Sequence, residues 1–428
     1  MHLLTRQGTE KIRLYSSVRL CAGACCAPLM DGYLITSVGL VWFLSDFVCA
    51  DNSPWLVGFS AFAYIFGSFF GTLFGGWIGD RMGRRALYNC LPFCLAALCA
   101  LQTVCTVPVS LITVRFLLGF VTGADSPCAQ AMAAENSPKL VRAKTLTWLM
   151  NAWFIGAILS ACTAWLIKEV SLSWMVYPLF AAVLALISAW VRCGAPESVL
   201  WLLHHGRGAE AEYSLAILGL SSTSELTEEE SLRSSGRFNR RTIGKLIFIS
   251  VFWFCQAAPV TAVLMFGPLL LSAPDMSGET EFASTIIAYL LFFIGSFGAL
   301  GLIGRTKRRP LILWTFALMA LGFLMLSQVH LGSKLMLWAA LAIYSLPYGI
   351  QSVLDYVYPS ELFPTSIRAT ALGILGSTSR VGSMISSLLF PIAFISYGQQ
   401  MMCFAGAFVL AVGFAVSYFF ASETYRAK

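Results

Sequence analysis

The chain has 428 residues, 58% hydrophobic and only 11% charged, with a formal net charge of +7. A soluble chain carries roughly 25% charged residues, and even a large dry core needs polar groups over its surface. This composition therefore excludes an ordinary soluble domain and fits a lipid-facing surface. The surplus cations lie in short clusters between apolar runs, with no aromatic-interleaved basic face, which argues against nucleic acid as a partner.

A bilayer-crossing helix needs about 20 mostly apolar residues. Arg6, Lys11, Arg13 and Arg19 precede an apolar run over 20–44. That run is too long for a signal-peptide core and lacks a small-residue cleavage site, so it reads as a retained first span. Further spans follow at 55–78, 86–107, 110–133, 143–167 and 173–193. After a polar stretch come 243–271, 283–304, 311–331, 334–357, 370–395 and 400–421. Helices are expected because lipid offers no partner to an open backbone edge. Barrel strands would alternate over about ten residues, and these runs do not.

With the N-terminus in the cytoplasm, 24 of the 28 Lys and Arg residues fall in cytoplasmic segments, as positive-inside placement requires. Lys168 and Lys334 fall in outward loops, and Arg115 and Arg380 lie inside spans. The expected domains are a six-helix half at 1–193, a partly helical cytoplasmic linker at 194–242 and a second six-helix half at 243–428. Both termini then face the cytoplasm. The thirteen cysteines are scattered through apolar segments, and the four histidines, His2, His204, His205 and His330, have no metal-ligand spacing. No nucleophile elbow occurs either, so no metal, cofactor or enzymatic chemistry is expected.

The chain repeats itself. Glu135, Pro138, Arg142 and Ala143 recur as Glu361, Pro364, Arg368 and Ala369 at an offset of 226. Arg84, Arg85 and Leu87 recur as Arg308, Arg309 and Leu311 at an offset of 224. Gly123 and Ser126 match Gly349 and Ser352 in the same way. Two tandem six-span units follow, an arrangement common among secondary transporters.

Gly76-Trp77-Ile78-Gly79-Asp80-Arg81-Met82-Gly83-Arg84-Arg85, between spans two and three, resembles the signature loop of the major facilitator superfamily. Asp80 would cap the positive end of a neighbouring helix there. Pro196-Glu197-Ser198-Val199-Leu200 resembles the sugar-porter segment after span six, with Val199 in place of a proline and Leu200 in place of an arginine. Pro359 to Thr365 resembles the matching segment after span ten. Asp31-Gly32-Tyr33 resembles the first-span motif of aromatic-acid:proton symporters, although Leu34 replaces its second aspartate. The resemblance covers the whole chain and is strongest to metabolite:proton symporters between the sugar-porter and aromatic-acid groups. It implies an all-helical membrane protein of twelve spans in the inner membrane, working as a monomer by alternating access.

Ionisable residues inside spans cost at least about 2.5 kcal/mol near a helix centre, so each needs a reason. Asp31 falls in span one, Arg115 and Asp125 in span four, Asp355 late in span ten and Arg380 in span eleven. Shifting Asp31 by 225 reaches Gln256, and shifting Asp125 by 226 reaches Gln351. The first half thus carries carboxylates where the second carries amides. An amide binds a polar solute but takes up no proton, which points to proton coupling at Asp31 and Asp125. Arg115, Arg380, Gln256, Gln351, Trp153 and Tyr348 are the expected substrate contacts. The alternative is that Arg115 and Arg380 hold both aspartates permanently ionised.

Asp80, Arg84, Glu135 and Arg142, echoed by Arg308, Glu361 and Arg368, are the expected ion pairs of a cytoplasmic gate that breaks as the halves rock. Together these readings describe proton-coupled uptake of a small polar metabolite, an organic acid by preference. The partners are the substrate, protons and the bilayer. A sugar:proton symporter is one alternative. A proton-antiport exporter is the other, although span five lacks the Gly-Pro motif that the superfamily's antiporters carry.

Overall fold

The computed structural model describes residues 19–37, 54–105, 107–137, 139–218, 240–270, 278–303, 306–328, 334–363 and 365–424. Its elements are all helices: α1 (Arg19–Ser37), α2 (Pro54–Met82), α3 (Arg84–Gln102), α4 (Pro108–Asn136), α5 (Lys139–Glu169) and α6 (Val176–Arg192). Two short helices follow, α7 (Val199–His204) and α8 (Gly208–Leu218). Then come α9 (Arg240–Leu270), α10 (Gly278–Ile303), α11 (Arg308–Leu326), α12 (Lys334–Leu362) and α13 (Thr365–Phe420). No strand occurs among the described residues.

Among the described residues, nine helices are long and apolar enough to cross a membrane, and α6 and part of α10 are shorter apolar helices. The last apolar stretch, Ile374–Phe420, has 47 residues. At 1.5 Å per residue that is about 70 Å, more than twice the roughly 30 Å hydrocarbon core. It breaks at Gly398, where φ is 75° and ψ is 171°. Only glycine takes that backbone conformation without strain, so α13 is two arms meeting at a turn. Trp190, Trp314 and Phe408 are among many large apolar side chains left exposed. A water-facing surface does not carry apolar area on that scale, whereas lipid does. The protein is a multi-pass membrane protein.

Two compact units divide the described chain. The first gathers 1–32, 67–156 and 178–233. In it α2 and α4 touch backbone to backbone: a Cβ on Gly67 would stand 2.0 Å from the Phe116 carbonyl oxygen, and one on Gly123 would stand 2.3 Å from that of Ser68. Helices in lipid gain adhesion from such close approach because no hydrophobic drive separates them from their solvent. The start of the expected linker belongs to this unit as well. Val199, Trp201 and Leu202 of α7 are buried in one cluster with Tyr88, Ala129 and Met132. The rest of the linker, 219–239, lies outside the described residues.

The second unit gathers 33–66, 157–177 and 234–428. Here α10 and α12 repeat the glycine contact. A Cβ on Gly349 would lie 2.2 Å from the Phe292 carbonyl oxygen, and one on Gly295 would lie 2.3 Å from that of Leu346. Gly123 and Gly349, matched by the repeat, do the same work in each unit.

Candidate functional site

Asp31 sits half-buried on α1, and its Oδ2 accepts a hydrogen bond from Nε1 of Trp153 on α5 at 3.0 Å. An indole N–H only donates, so it steadies the carboxylate without adding a charge. The sequence singled out both residues, for different reasons, and the fold brings them together.

Asp125, on α4, stands in a different environment. It is 1% exposed, and one guanidinium engages both its oxygens: Arg192 Nη1 to Oδ1 at 2.6 Å and Nη2 to Oδ2 at 2.9 Å. Arg192 ends α6. It also donates from Nε to the Gly23 carbonyl at 2.9 Å and from Nη1 to the Tyr88 carbonyl at 3.1 Å. Its guanidinium carbon lies 4.5 Å from the centre of the Tyr88 ring. One side chain thus ties α6 to α1, α3 and α4. Gly23 makes the room, since a Cβ there would meet Tyr88 Oη at 2.6 Å and Arg192 Cγ at 3.2 Å. The alternative to proton coupling set Arg115 and Arg380 against the aspartates, and the cation on Asp125 is Arg192. Arg115 is itself buried on α4 at 1% exposure.

In the second unit Gln256 on α9 and Gln351 on α12 are buried, at 4% and 0% exposure. Gln256 Nε2 and both amide atoms of Gln351 are enclosed with no hydrogen-bond partner. An enclosed polar group left unbonded costs about 1–3 kcal/mol, so these amides are suited to a polar occupant. Tyr348, beside them on α12, is half-buried and packs edge-on to Phe292 at 4.8 Å and against Tyr344 at 6.3 Å. Arg380 is half-buried on the first arm of α13.

Of the expected cytoplasmic gate, Arg84 and Glu135 meet: Nη2 lies 3.0 Å from Oε1. Ser198 Oγ donates to the other Glu135 oxygen and accepts from the Trp201 backbone N–H, capping α7. The side chains of Asp80, Arg142, Glu361 and Arg368 lie outside the described residues. A helix cap of the kind expected of Asp80 is formed by Glu197, whose Oε1 accepts from the backbone N–H of Arg84 at 3.0 Å and of Arg85 at 3.1 Å. The carboxylate lies against Gly83, whose φ is 94°, and a Cβ there would meet Oε2 at 2.4 Å. The second unit repeats the device. Glu423 accepts from the backbone N–H of Arg308 at 2.9 Å and of Arg309 at 3.2 Å. Glu197 and Glu423 stand at the repeat's own offset of 226, a signal that a search restricted to the arginine clusters passes over. A carboxylate at a helix N-terminus meets both unbonded N–H groups and the positive end of the helix dipole.

Residues 20–427 match the sugar (and other) transporter family. The chain belongs to that family. YgcS of Escherichia coli K12, an inner membrane metabolite transport protein, is 29% identical over 93% of the transporter and 89% of its own length. YaaU of the same organism, whose name marks it as a candidate metabolite transport protein, is 29% identical over 93% and 90%. Among solved structures, a partially occluded inward-open form of the E. coli xylose transporter XylE aligns with a TM-score of 0.82. It covers 97% of the transporter and 100% of XylE at 19% identity. Another XylE structure is described as that of a major facilitator superfamily proton:xylose symporter. At that identity the likeness establishes the fold. The transporter is a member of the major facilitator superfamily, and neither family nor fold is that of an enzyme.

Proposed function

We propose that this transporter takes up a small polar metabolite across the inner membrane by proton symport, working as a monomer, with an organic acid as its preferred substrate class. The observation that carries the reading is the half-buried Asp31, met by a neutral indole donor, beside an Asp125 fully engaged by Arg192. A carboxylate already bound through both oxygens to a guanidinium and enclosed by four helices is suited to a fixed structural charge. A carboxylate that accepts from an indole N–H and stays partly open is suited to exchanging a proton. Coupling therefore falls to Asp31, and Asp125 keeps the first half together.

Twelve spans in two halves, 1–193 and 243–428, remain the reading of the topology. The nine long helices, the two shorter ones and the break at Gly398 support it. The inner-membrane setting and the solute class draw on the name of YgcS, and proton coupling draws on that of XylE. Arg115 and Arg380, two cations inside spans, support an anionic substrate, because a guanidinium suits a bidentate carboxylate. A sugar is the second reading, favoured by the enclosed amides of Gln256 and Gln351, which match hydroxyl groups.

The test is external alkalinisation by energised, lightly buffered cells expressing the protein, as pools of organic acids and then sugars are added. A pH rise with one pool that is absent in Asp31→Asn is the expected result. If Asp31→Asn still alkalinises the medium, Asp31 is not the carrier. If the expressed wild-type protein responds to no pool, symport itself fails.

A further inference from the structure

Asp355 is the one acid among the described side chains of α9 to α13 that lies within a membrane-spanning segment. It stands four residues after Gln351 on α12, so both occupy one helix face. The Gln256 amide of α9 lies near it. The residue is half-buried, yet its Oδ1 is enclosed without a hydrogen-bond partner. The same holds for Gln256 Nε2, for both amide atoms of Gln351, and for Trp253 Nε1 one turn before Gln256. Orphaned donors and acceptors thus lie on the same two helices as this carboxyl group and its amide neighbour.

No described cation acts on that carboxyl group, whose polar neighbour is the Gln256 amide. Among the described side chains, the cations on the elements packed with α12 are Arg240 and Lys245 of α9, Arg308 and Arg309 of α11, and Arg380 of α13. Lys245 reaches the Leu362 carbonyl, and the backbones of Arg308 and Arg309 bind Glu423. Other titratable side chains on these elements, among them Cys255 of α9, Tyr289 of α10, and Tyr344 and Tyr348 on α12 itself, are thiols and phenols, which supply no positive charge. An ionised aspartate in a bilayer span costs about 2.5–3.5 kcal/mol at a helix centre and less toward the end, where Asp355 stands. Without a cation, an amide dipole offsets only part of that. The neutralising agent present at every stage of a transport cycle, with substrate or without, is a proton from water.

We propose that Asp355, backed by Gln256 and Gln351, is a second proton-binding site, housed in the half where the repeat otherwise sets amides against carboxylates. The proton adds to one carboxylate oxygen. The neutral acid then has an O–H to donate and a carbonyl oxygen to accept, which matches the mixed donors and acceptors of the two amides. The site stands whether or not Asp31 couples transport, and its test uses a different readout.

Infrared difference spectra of the full chain in proteoliposomes, between about pH 5 and pH 9, read the C=O stretch of protonated carboxyl groups and need no substrate. The expected result is a carboxylic-acid band that vanishes toward alkaline pH in wild type and in Asp31→Asn, and that is missing in Asp355→Asn. Asp355→Glu should keep a titrating band at a shifted frequency, which covers the case of an Asn variant that does not fold. Spectra of Asp355→Asn identical to wild type overturn the proposal. So does an Asp355 band that persists unchanged across the whole range, since a permanently neutral acid exchanges no proton.

Discussion

Replacing Arg192 with methionine removes a guanidinium whose side chain is 0% exposed and strands the Asp125 carboxylate at 2%. Breaking a buried pair from one side costs about 3–5 kcal/mol, because the remaining charge has nothing to offset its desolvation. At about 1.4 kcal/mol per decade, that is two to more than three decades in the folding constant. Asp125→Asn should cost less, about 1.5–3 kcal/mol, the value of one charge-assisted hydrogen bond. Arg192 then keeps its bonds to the Gly23 and Tyr88 carbonyls and its seat on the Tyr88 ring. Removing both charges, as Asp125→Leu with Arg192→Met, should recover part of the single-variant loss. Thermal unfolding of the purified proteins in detergent, followed by loss of the monodisperse peak, reads the order directly. Arg192→Met should be the least stable of the three. An Arg192→Met protein that unfolds at the wild-type temperature, or a double variant less stable than it, refutes the reasoning.

Trp153→Phe deletes the indole donor to Asp31 and keeps the ring. A lost hydrogen bond to a charged group is worth about 1.5–3 kcal/mol, so proton-linked uptake should fall roughly ten-fold or more while surface expression stays at the wild-type level. Glu197→Gln and Glu423→Gln should each lower thermal stability by about 0.5–2 kcal/mol, the range for a helix N-cap. The two losses should be similar, because each carboxylate meets the same pair of backbone N–H groups; a marked inequality counts against their equivalence. Gly67→Ala, whose new Cβ would meet the Phe116 carbonyl oxygen at 2.0 Å, should give little monodisperse protein. Gly76→Ala, with nothing within 4 Å, should be as stable as wild type or better. Equal behaviour of those two alanines would remove the argument from close helix approach.

The long apolar helices were readable because lipid demands long apolar runs. Partnerships across helices were not readable. Arg192 closes the sixth apolar run, where a cation is indistinguishable from an ordinary membrane anchor, and only packing reveals it as the counter-charge of Asp125. Trp153 and Asp31 are 122 residues apart and share no motif. Their hydrogen bond depends on how α1 and α5 rotate against each other, which no local pattern encodes. Asp80 was the natural expectation for a helix cap by proximity to the glycines of its loop. Glu197, over a hundred residues away in sequence, does that work because α7 docks against α3 and α4. The repeat carried a hint, since Glu423 follows Glu197 at the offset already in hand.

The Asp125–Arg192 pair also sets an order of assembly. Arg192 follows Asp125 by 67 residues, so at roughly 5–20 residues per second its synthesis trails by about 3–13 s. Through that interval the growing chain has four, then five spans and an acid with no counter-charge. A ribosome that stalls before residue 192 leaves a fragment that lacks the tie between Asp125, Gly23 and Tyr88. The last residue of the sixth span is therefore the clasp on which the first half waits.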